Sequence, residues 1–206
     1  MLAFNPATHS YTVGGRQVPS VTGRIRAAGL LGPAVHFFTP DSAARGTRVH
    51  LACLAIDHGL PPLLPLEERG YLLSYRRWRD AMRPQWTSLE TPHYCAQYDT
   101  AGTADRLGLL DDVPVVVELK TGGAASWHGV QLAMYDLLHN DLAPRQRRRL
   151  VLHLSTDGRM AHVVEYHEAN DYLTALDLLT KGSADAPDRP DADSNPPPAH
   201  HHGDSG

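Results

Sequence analysis

Apolar positions follow helical spacing at both ends of the chain and strand spacing in its middle. Near the start, Tyr11–Val13 alternates like a strand, and the Gly14-Gly15 pair before a second extended piece predicts a hairpin. Ser20 then stands where a side chain caps a short helix. Two longer helices are predicted over residues 41–56, apolar on most sides after Val49 and hence buried, and 66–82, with an arginine-rich face.

The middle of the chain is rich in β-branched and aromatic residues. One run holds four valines in five residues without polar alternation, which is typical of a central strand covered on both faces. The pattern predicts strands over residues 85–90, 93–99, 102–110, 113–120, 149–155 and 160–167, and helices over 126–140 and 169–179. This order predicts an α/β or α+β fold with a central mixed β-sheet flanked by helices on both faces.

The domain organisation follows from length and composition. The first 182 of the 206 residues suffice for one domain with a substantial core. Residues 183–206 are rich in Asp, Pro and Ser, cannot form a core, and are predicted to be a disordered acidic tail. The three histidines at 200–202 are either a short metal-binding tract or tag sequence, and they do not enter the fold prediction.

The charge balance leaves an anionic partner open. The chain has 23 acidic and 19 basic residues, but the tail holds five Asp against one Arg, so the first 182 residues are neutral. Two arginine clusters stand out, and each is equally compatible with phosphate-backbone binding and with a solvated face or loop. They comprise Arg76, Arg77, Arg79 and Arg83, and then Arg145, Arg147, Arg148 and Arg149.

Several classes of protein are disfavoured. No stretch approaches the roughly 20 apolar residues of a membrane span, and the N-terminus lacks the pattern of a signal peptide, so we expect a soluble cytoplasmic protein. The two cysteines, Cys53 and Cys95, lie in segments with a buried pattern. They favour free thiols and provide neither a disulfide framework nor a four-cysteine metal site.

Candidate chemistry lies at the end of the valine-rich strand. The chain has 17 arginines and two lysines, and one of those lysines, Lys120, is two positions from Glu118, so both side chains share one face of the strand. Two charges at the end of a buried strand cost several kcal/mol each in desolvation, which favours a functional role. If residues 102–110 and 113–119 pair as a hairpin, Asp105 and Glu118 converge on a hard-oxygen site suited to Mg²⁺. A lysine beside them can orient a water and neutralise phosphoryl charge.

These residues resemble the PD-(D/E)XK nuclease superfamily, whose core has an Asp followed by an acidic-x-Lys strand end. Asp105 and Glu118-Leu119-Lys120 match that pattern. The sequence departs from it in one respect, since Thr103-Ala104 precedes the aspartate in place of the proline of the motif. The sequence G-x-x-x-H at Gly46–His50 is similar to a helix of the RecB-like and phage-type exonuclease branch. Gln131 and Tyr135 resemble its Q-x-x-x-Y helix, and the segment around Ser20 is similar to its N-terminal extended piece and helix start.

The resemblance implies a restriction-endonuclease-like core and a DNA nuclease that requires Mg²⁺, with Mn²⁺ as a substitute. It implies His50, Asp105, Glu118 and the Leu119 carbonyl as metal ligands and Lys120 as the residue that positions water. It places Gln131 and Tyr135 against the carboxylates or a DNA phosphate. No iron-sulfur cluster is expected, because that branch needs four cysteines. Further candidates are Glu90 as an extra carboxylate, and Arg48, Arg76, Arg77 and Trp127 as DNA-binding residues.

We expect an exonuclease that acts in phage or bacterial DNA recombination or repair and leaves 5′-phosphates. The expected partners are DNA, a single-strand annealing or recombination protein, or further copies of the chain in an oligomer. Alternatives are an inactive nuclease-fold accessory that binds DNA, a structure-specific endonuclease, and a structural protein with a chance ion pair. For individual residues, His50 also fits a core histidine, Gln131 and Tyr135 fit ordinary packing, and Glu90 fits a solvated strand end.

Overall fold

The computed structural model describes residues 1–6, 8–32, 39–141, 143 and 145–181. The tail predicted over residues 183–206 lies outside these ranges. At the N-terminus, strands β1 (Leu2–Asn5), β2 (Ser10–Val13) and β3 (Arg16–Val18) form an antiparallel sheet, which confirms the predicted hairpin and adds one strand to it. Helix α1 (Val21–Ala27) begins after Ser20, whose hydroxyl accepts the Gly23 backbone N–H at 3.0 Å, so the predicted cap is also confirmed.

Two helices then pack against each other. Helix α2 (Pro40–Asp57) begins with a capping box between Thr39 and Ser42, and helix α3 (Arg69–Met82) follows a 3₁₀ turn over Leu66–Glu68. The buried face of α2 is narrower than predicted. Only Val49, Ala52 and Cys53 are buried, whereas Leu51 is 56% exposed, because the sheet and α3 cover the helix on one side only.

The remaining elements build the body of the fold. They are β4 (Gln85–Leu89), β5 (His93–Cys95), β6 (Thr100–Gly102), β7 (Arg106–Leu110), β8 (Val113–Lys120), α4 (His128–His139), β9 (Arg148–His153), β10 (His162–Glu165) and α5 (Ala169–Lys181). Five strands form one sheet in the order β10-β9-β8-β7-β4, while β5 and β6 form a separate ribbon. The pair β8 and β9 is parallel and the other pairs are antiparallel, so the sheet is mixed and β8 is its central strand.

The predicted strand 102–110 is wrong in its first part. Residues 103–105 leave the extended ladder and connect β6, in the ribbon, to β7, in the main sheet. The Thr103 hydroxyl is hydrogen-bonded to Tyr11 at 2.8 Å, and the Asp105 carboxylate accepts the Leu119 N–H at 2.6 Å, so side chains hold this segment where strand pairing would otherwise do so. The β7–β8 hairpin itself forms as predicted, with a tight turn in which Asp111 and Asp112 have φ of 50° and 61°.

Helices cover both faces of the main sheet, as predicted. On one face, Val115, Val117 and Leu119 pack against buried residues of α2 and α3. On the other, Val116 packs against α1, α4 and α5. The protein is therefore a mixed α/β fold in three layers. Cys53 and Cys95 are both buried free thiols, and none of the helices within the described ranges is long and apolar enough to cross a membrane.

Candidate functional site

The candidate residues come together at the C-terminal end of β8. Because strand side chains alternate, Leu119 points to the α2 and α3 layer, while Glu118 and Lys120 share the face of Val116, on the side of α4. Helix α2 brings His50 to the same strand end, and the hairpin brings residue 105 beside it. Sequence positions far apart therefore meet at one edge of the sheet.

Asp105 and His50 bind the two backbone polar groups of one residue, Leu119. The Asp105 carboxylate is buried and accepts the Leu119 N–H, while His50 Nε2 donates to the Leu119 carbonyl at 3.1 Å. The other ring nitrogen, His50 Nδ1, lies 3.3 Å from Asp105 Oδ1. The backbone at Leu119 thus fixes the separation between the imidazole and the carboxylate.

Glu90 completes a compact group of possible ligands. It follows β4, and its Oε1 lies 3.9 Å from His50 Nδ1. His50, Glu90 and Asp105 each offer one ligand atom, and these three atoms all lie within 4.8 Å of one another. Two carboxylate oxygens and an imidazole nitrogen form a donor set suited to a divalent cation such as Mg²⁺ or Mn²⁺.

Glu118 lies beside this group but is not a member of it. Its Oε1 accepts a hydrogen bond from Lys120 Nζ at 2.9 Å, and its buried Oε2 has no hydrogen-bond partner among the described residues. A buried carboxylate oxygen without a partner is costly, and a cation or a substrate group would satisfy it. The compact ligand group therefore contains Glu90, which the sequence left open as an extra carboxylate, and Glu118 lies next to it.

Lys120 is held by the residues that the Q-x-x-x-Y resemblance singled out. Its Nζ donates to Gln131 Oε1 at 3.2 Å and lies 5.2 Å from the centre of the Trp127 ring, within cation–π range. Gln131 Nε2 in turn donates to the Tyr135 hydroxyl at 3.4 Å. The buried face of α4 thus orients the ammonium group through a short polar chain.

Burial and crowding shift the charges of the site. Burial and the neighbouring Asp105 raise the pKa of Glu118 to about 7, although Lys120 acts against this shift. Burial opposes protonation of His50, but Asp105 and Glu90 outweigh it and raise the pKa of His50 to about 9. Burial and then Asp105 raise the pKa of Glu90 as well. Three carboxylates therefore lie close enough to compete for positive charge, which a bound cation would supply.

The predicted DNA-binding residues occupy different environments. Arg48 is paired with the carboxylate of Glu68. Arg76 and Arg77 are exposed on α3 and form no ion pair with any described residue. Trp127 is buried, with 7% of its surface exposed, and packs over Lys120 rather than presenting its ring to solvent.

The second arginine cluster is structural in its described contacts. Three of its members are engaged in ion pairs within the fold: Arg147 with Asp136 and Asp141, Arg148 with Glu165, and Arg149 with Asp171. Arg147 and Arg149 are also buried. These three guanidinium groups join α4, α5 and the β9–β10 pair, so the structural interpretation of this cluster is the better supported one.

Sequence reasoning missed Asp57 and Arg106, which lie directly behind the ligand group. Both side chains are fully buried, and Arg106 Nε donates to Asp57 Oδ2 at 2.7 Å. Two signals pointed to them. Arg106 directly follows Asp105, and Asp57 is two helical turns after His50, which puts it on the same face of α2.

No protein-family model matches the sequence, and no curated protein matches it. A function for this protein is therefore inferred from the geometry of the site and from the sequence motifs.

Proposed function

We propose that the protein is a metal-dependent nuclease that hydrolyses DNA phosphodiester bonds, with a restriction-endonuclease-like core of the PD-(D/E)XK type. One observation carries the proposal. The strand end with Glu118 and Lys120 meets Asp105 and His50 in space, and Gln131 contacts Lys120. Motifs that are separate in sequence thus form one charged site, which a chance ion pair does not explain.

The donor set fits a divalent cation. His50, Glu90 and Asp105 supply the compact group, and Glu118 contributes a buried oxygen without a described partner. The Leu119 carbonyl lies at the same place, beside His50. These residues would hold a divalent cation, which would supply Lewis-acid chemistry to the phosphoryl group and would make a water more acidic.

The chain's own residues orient and stabilise the reacting groups. Lys120 carries a compact positive charge that Glu118 and Gln131 hold in one direction, so it is preorganised to bind a phosphate oxygen or a water. Tyr135 keeps Gln131 in place from within the core. The Trp127 ring covers Lys120 on one side and limits access of bulk water to the ammonium group.

The finer features of the proposal come from the sequence resemblance. They are exonuclease action, 5′-phosphate products and a role in DNA recombination or repair. The exposed Arg76 and Arg77 support contacts with a phosphate backbone. A structure-specific endonuclease or an inactive DNA-binding accessory would use the same fold, and the cleavage experiment separates them.

The test compares linear, nicked and covalently closed circular DNA incubated with the protein and Mg²⁺ or Mn²⁺. We expect metal-dependent loss of linear DNA with 5′-phosphate products. Asp105→Asn and Glu118→Gln should each abolish it, while Asp112→Asn, an exposed turn position where asparagine tolerates positive φ, should keep full activity.

Other outcomes decide between the alternatives. Cleavage of closed circular DNA would identify an endonuclease. DNA binding without hydrolysis of any of the three substrates would favour the inactive accessory. Hydrolysis that survives both Asp105→Asn and Glu118→Gln would refute the site.

A further inference from the structure

Arg106 connects the ligand group to the protein interior. It is the first residue of β7, and its side chain is fully buried. Its Nε donates to Asp57, while its Nη1 donates to the Asp105 carbonyl oxygen at 2.7 Å and to Glu90 Oε1 at 3.2 Å. One planar guanidinium therefore contacts both residues that bring carboxylates to the compact group.

The need to neutralise the Asp57 carboxylate does not explain why an arginine is buried at position 106. Asp57 already accepts hydrogen bonds from the Tyr75 hydroxyl at 2.6 Å, from Arg79 Nε at 2.9 Å and from Trp86 Nε1 at 3.3 Å. A buried ion pair is no more stabilising than apolar packing in many proteins, because both charges lose their hydration. Unlike the other partners of Asp57, Arg106 has a second nitrogen, Nη1, that also contacts Glu90 and the Asp105 carbonyl.

Glu90 needs such support because its backbone is in an unfavourable conformation. Its φ is 44°, in the left-handed region, which costs roughly 1–2 kcal/mol for a residue other than glycine. Two contacts keep it there: its N–H donates to the Asp105 carbonyl at 3.0 Å, and its carboxylate accepts from Arg106. The partners in both contacts are the adjacent residues Asp105 and Arg106.

We propose that Arg106 is a positioning residue that holds Glu90 as the third ligand of the cation site, with Asp57 orienting the guanidinium. This inference rests on the proposed function, since it assigns a role within the same site. Arg106 acts through Glu90 and does not touch the cation itself. Substitution of Arg106 therefore weakens cation binding even where the fold and the position of Asp105 are unchanged.

The test measures Mn²⁺ binding to the full-length protein without DNA, by the electron paramagnetic resonance signal of free Mn²⁺. Arg106→Lys keeps a positive charge but loses the fork that reaches Asp57 and Glu90 together. We expect it to weaken Mn²⁺ affinity by roughly 10-fold or more, as for other residues that orient metal ligands. Glu90→Gln should weaken affinity at least as much, because it alters the ligand itself. The double variant should bind Mn²⁺ no more weakly than Glu90→Gln alone, because Arg106 acts through Glu90.

Two further variants separate positioning from folding. Arg149 is another buried arginine, which lies on β9 and is paired with Asp171 of α5. It is not part of the ligand group, so Arg149→Lys should lower stability and leave Mn²⁺ affinity unchanged. Glu90 is partly exposed, and Glu90→Asp shortens the side chain out of reach of Arg106 with little risk to the fold. It should weaken Mn²⁺ binding even if Arg106→Lys does not fold.

The outcomes distinguish this inference from the proposed function. Wild-type affinity in the Arg106→Lys or Glu90→Asp variant, with binding abolished by Asp105→Asn, would overturn the role of Arg106 and leave the nuclease proposal intact. Additive losses in the double variant would also overturn it, because Arg106 would then act by another route. If the wild-type protein binds no more Mn²⁺ than Asp105→Asn, both proposals fall together.

Discussion

Lys120 illustrates how one residue type fits one position in this protein. The chain uses arginine 17 times and lysine twice. The Lys120 ammonium sits between Glu118 Oε1 and Gln131 Oε1, at 2.9 and 3.2 Å, and faces the Trp127 ring. A guanidinium is wider, planar and has fixed donor directions, so it cannot make the same contacts in the same space.

The two lysines of the chain, Lys120 and Lys181, allow a matched comparison. If the proposed function holds, Lys120→Ala and Lys120→Arg should each lower the rate of DNA hydrolysis about 100- to 1000-fold, because the preorganised charge assigned to the scissile phosphate would be lost or misplaced. Lys181→Ala is the matched control, since Lys181 is exposed at the end of α5 and pairs only with Asp177 among the described contacts. Initial rates on linear DNA, with circular dichroism to verify folding, provide the measurement. A Lys120→Ala rate close to that of Lys181→Ala would remove Lys120 from the mechanism.

Among the elements, α3 depends on one glycine for its position. Gly70 lies at the start of α3, and a Cβ there would lie 1.6 Å from the backbone oxygen of Thr156, in the turn after β9. Ser74 on the same helix accepts the Ser155 N–H at 3.0 Å. The helix thus approaches the segment after β9 so closely that the backbone must move if any side chain is added at position 70.

Alanine substitutions at two helix glycines, Gly70 and Gly46, should therefore change the free energy of unfolding in opposite directions. Gly70→Ala should lower the free energy of unfolding by about 2–3 kcal/mol or more, because the clash is with backbone that cannot rotate away. Gly46→Ala in α2 should raise it by about 0.5–1 kcal/mol, since the new Cβ meets only the Thr121 hydroxyl at 3.9 Å and alanine favours the helix. Urea unfolding of both variants measures the difference. Equal effects of the two substitutions would contradict the packing of α3.

Local signals account for the elements that the sequence predicted well. The cap at Ser20, the valine run of β8 and the apolar face of α4 each depend on neighbouring residues, and each element is present. The strand predicted over 102–110 was wrong in its first part because distant residues fix the conformation of residues 103–105. Tyr11 is hydrogen-bonded to Thr103, and the Leu119 N–H donates to Asp105. No periodicity encodes such contacts.

The same distinction applies to the candidate site. Its motif residues are recognisable by spacing along the chain, whereas the roles of Asp57 and Arg106 depend on α2 packing against β7. Whether Glu90 was a ligand or a solvated strand end stayed open for the same reason, since its placement depends on Arg106. Buried polar side chains that support a site are found through tertiary contacts, and their sequence signal is weak.

Across the fold, the described arginines include some that are paired with carboxylates and others that are exposed and unpaired. Arg147, Arg148 and Arg149 are engaged with carboxylates of α4, β10 and α5. Arg76 and Arg77, on the outer face of α3, are exposed and unpaired among the described residues. Composition treats all of these residues alike, although only the second group can exchange counterions for phosphates.

DNA binding should therefore respond to salt through α3 and not through β9. Each phosphate contact adds about 0.9 to the slope of log affinity against log salt, so replacing Arg76 and Arg77 together with glutamine should reduce that slope by up to about 2. Arg148→Gln, which breaks the pair with Glu165, should leave the slope unchanged and lower thermal stability instead. Fluorescence anisotropy of a labelled duplex over a NaCl series, without divalent cations so that the DNA stays intact, measures both slopes. A slope that falls for Arg148→Gln but not for the α3 variant would assign the phosphate contacts to β9 and would contradict the role of Arg76 and Arg77.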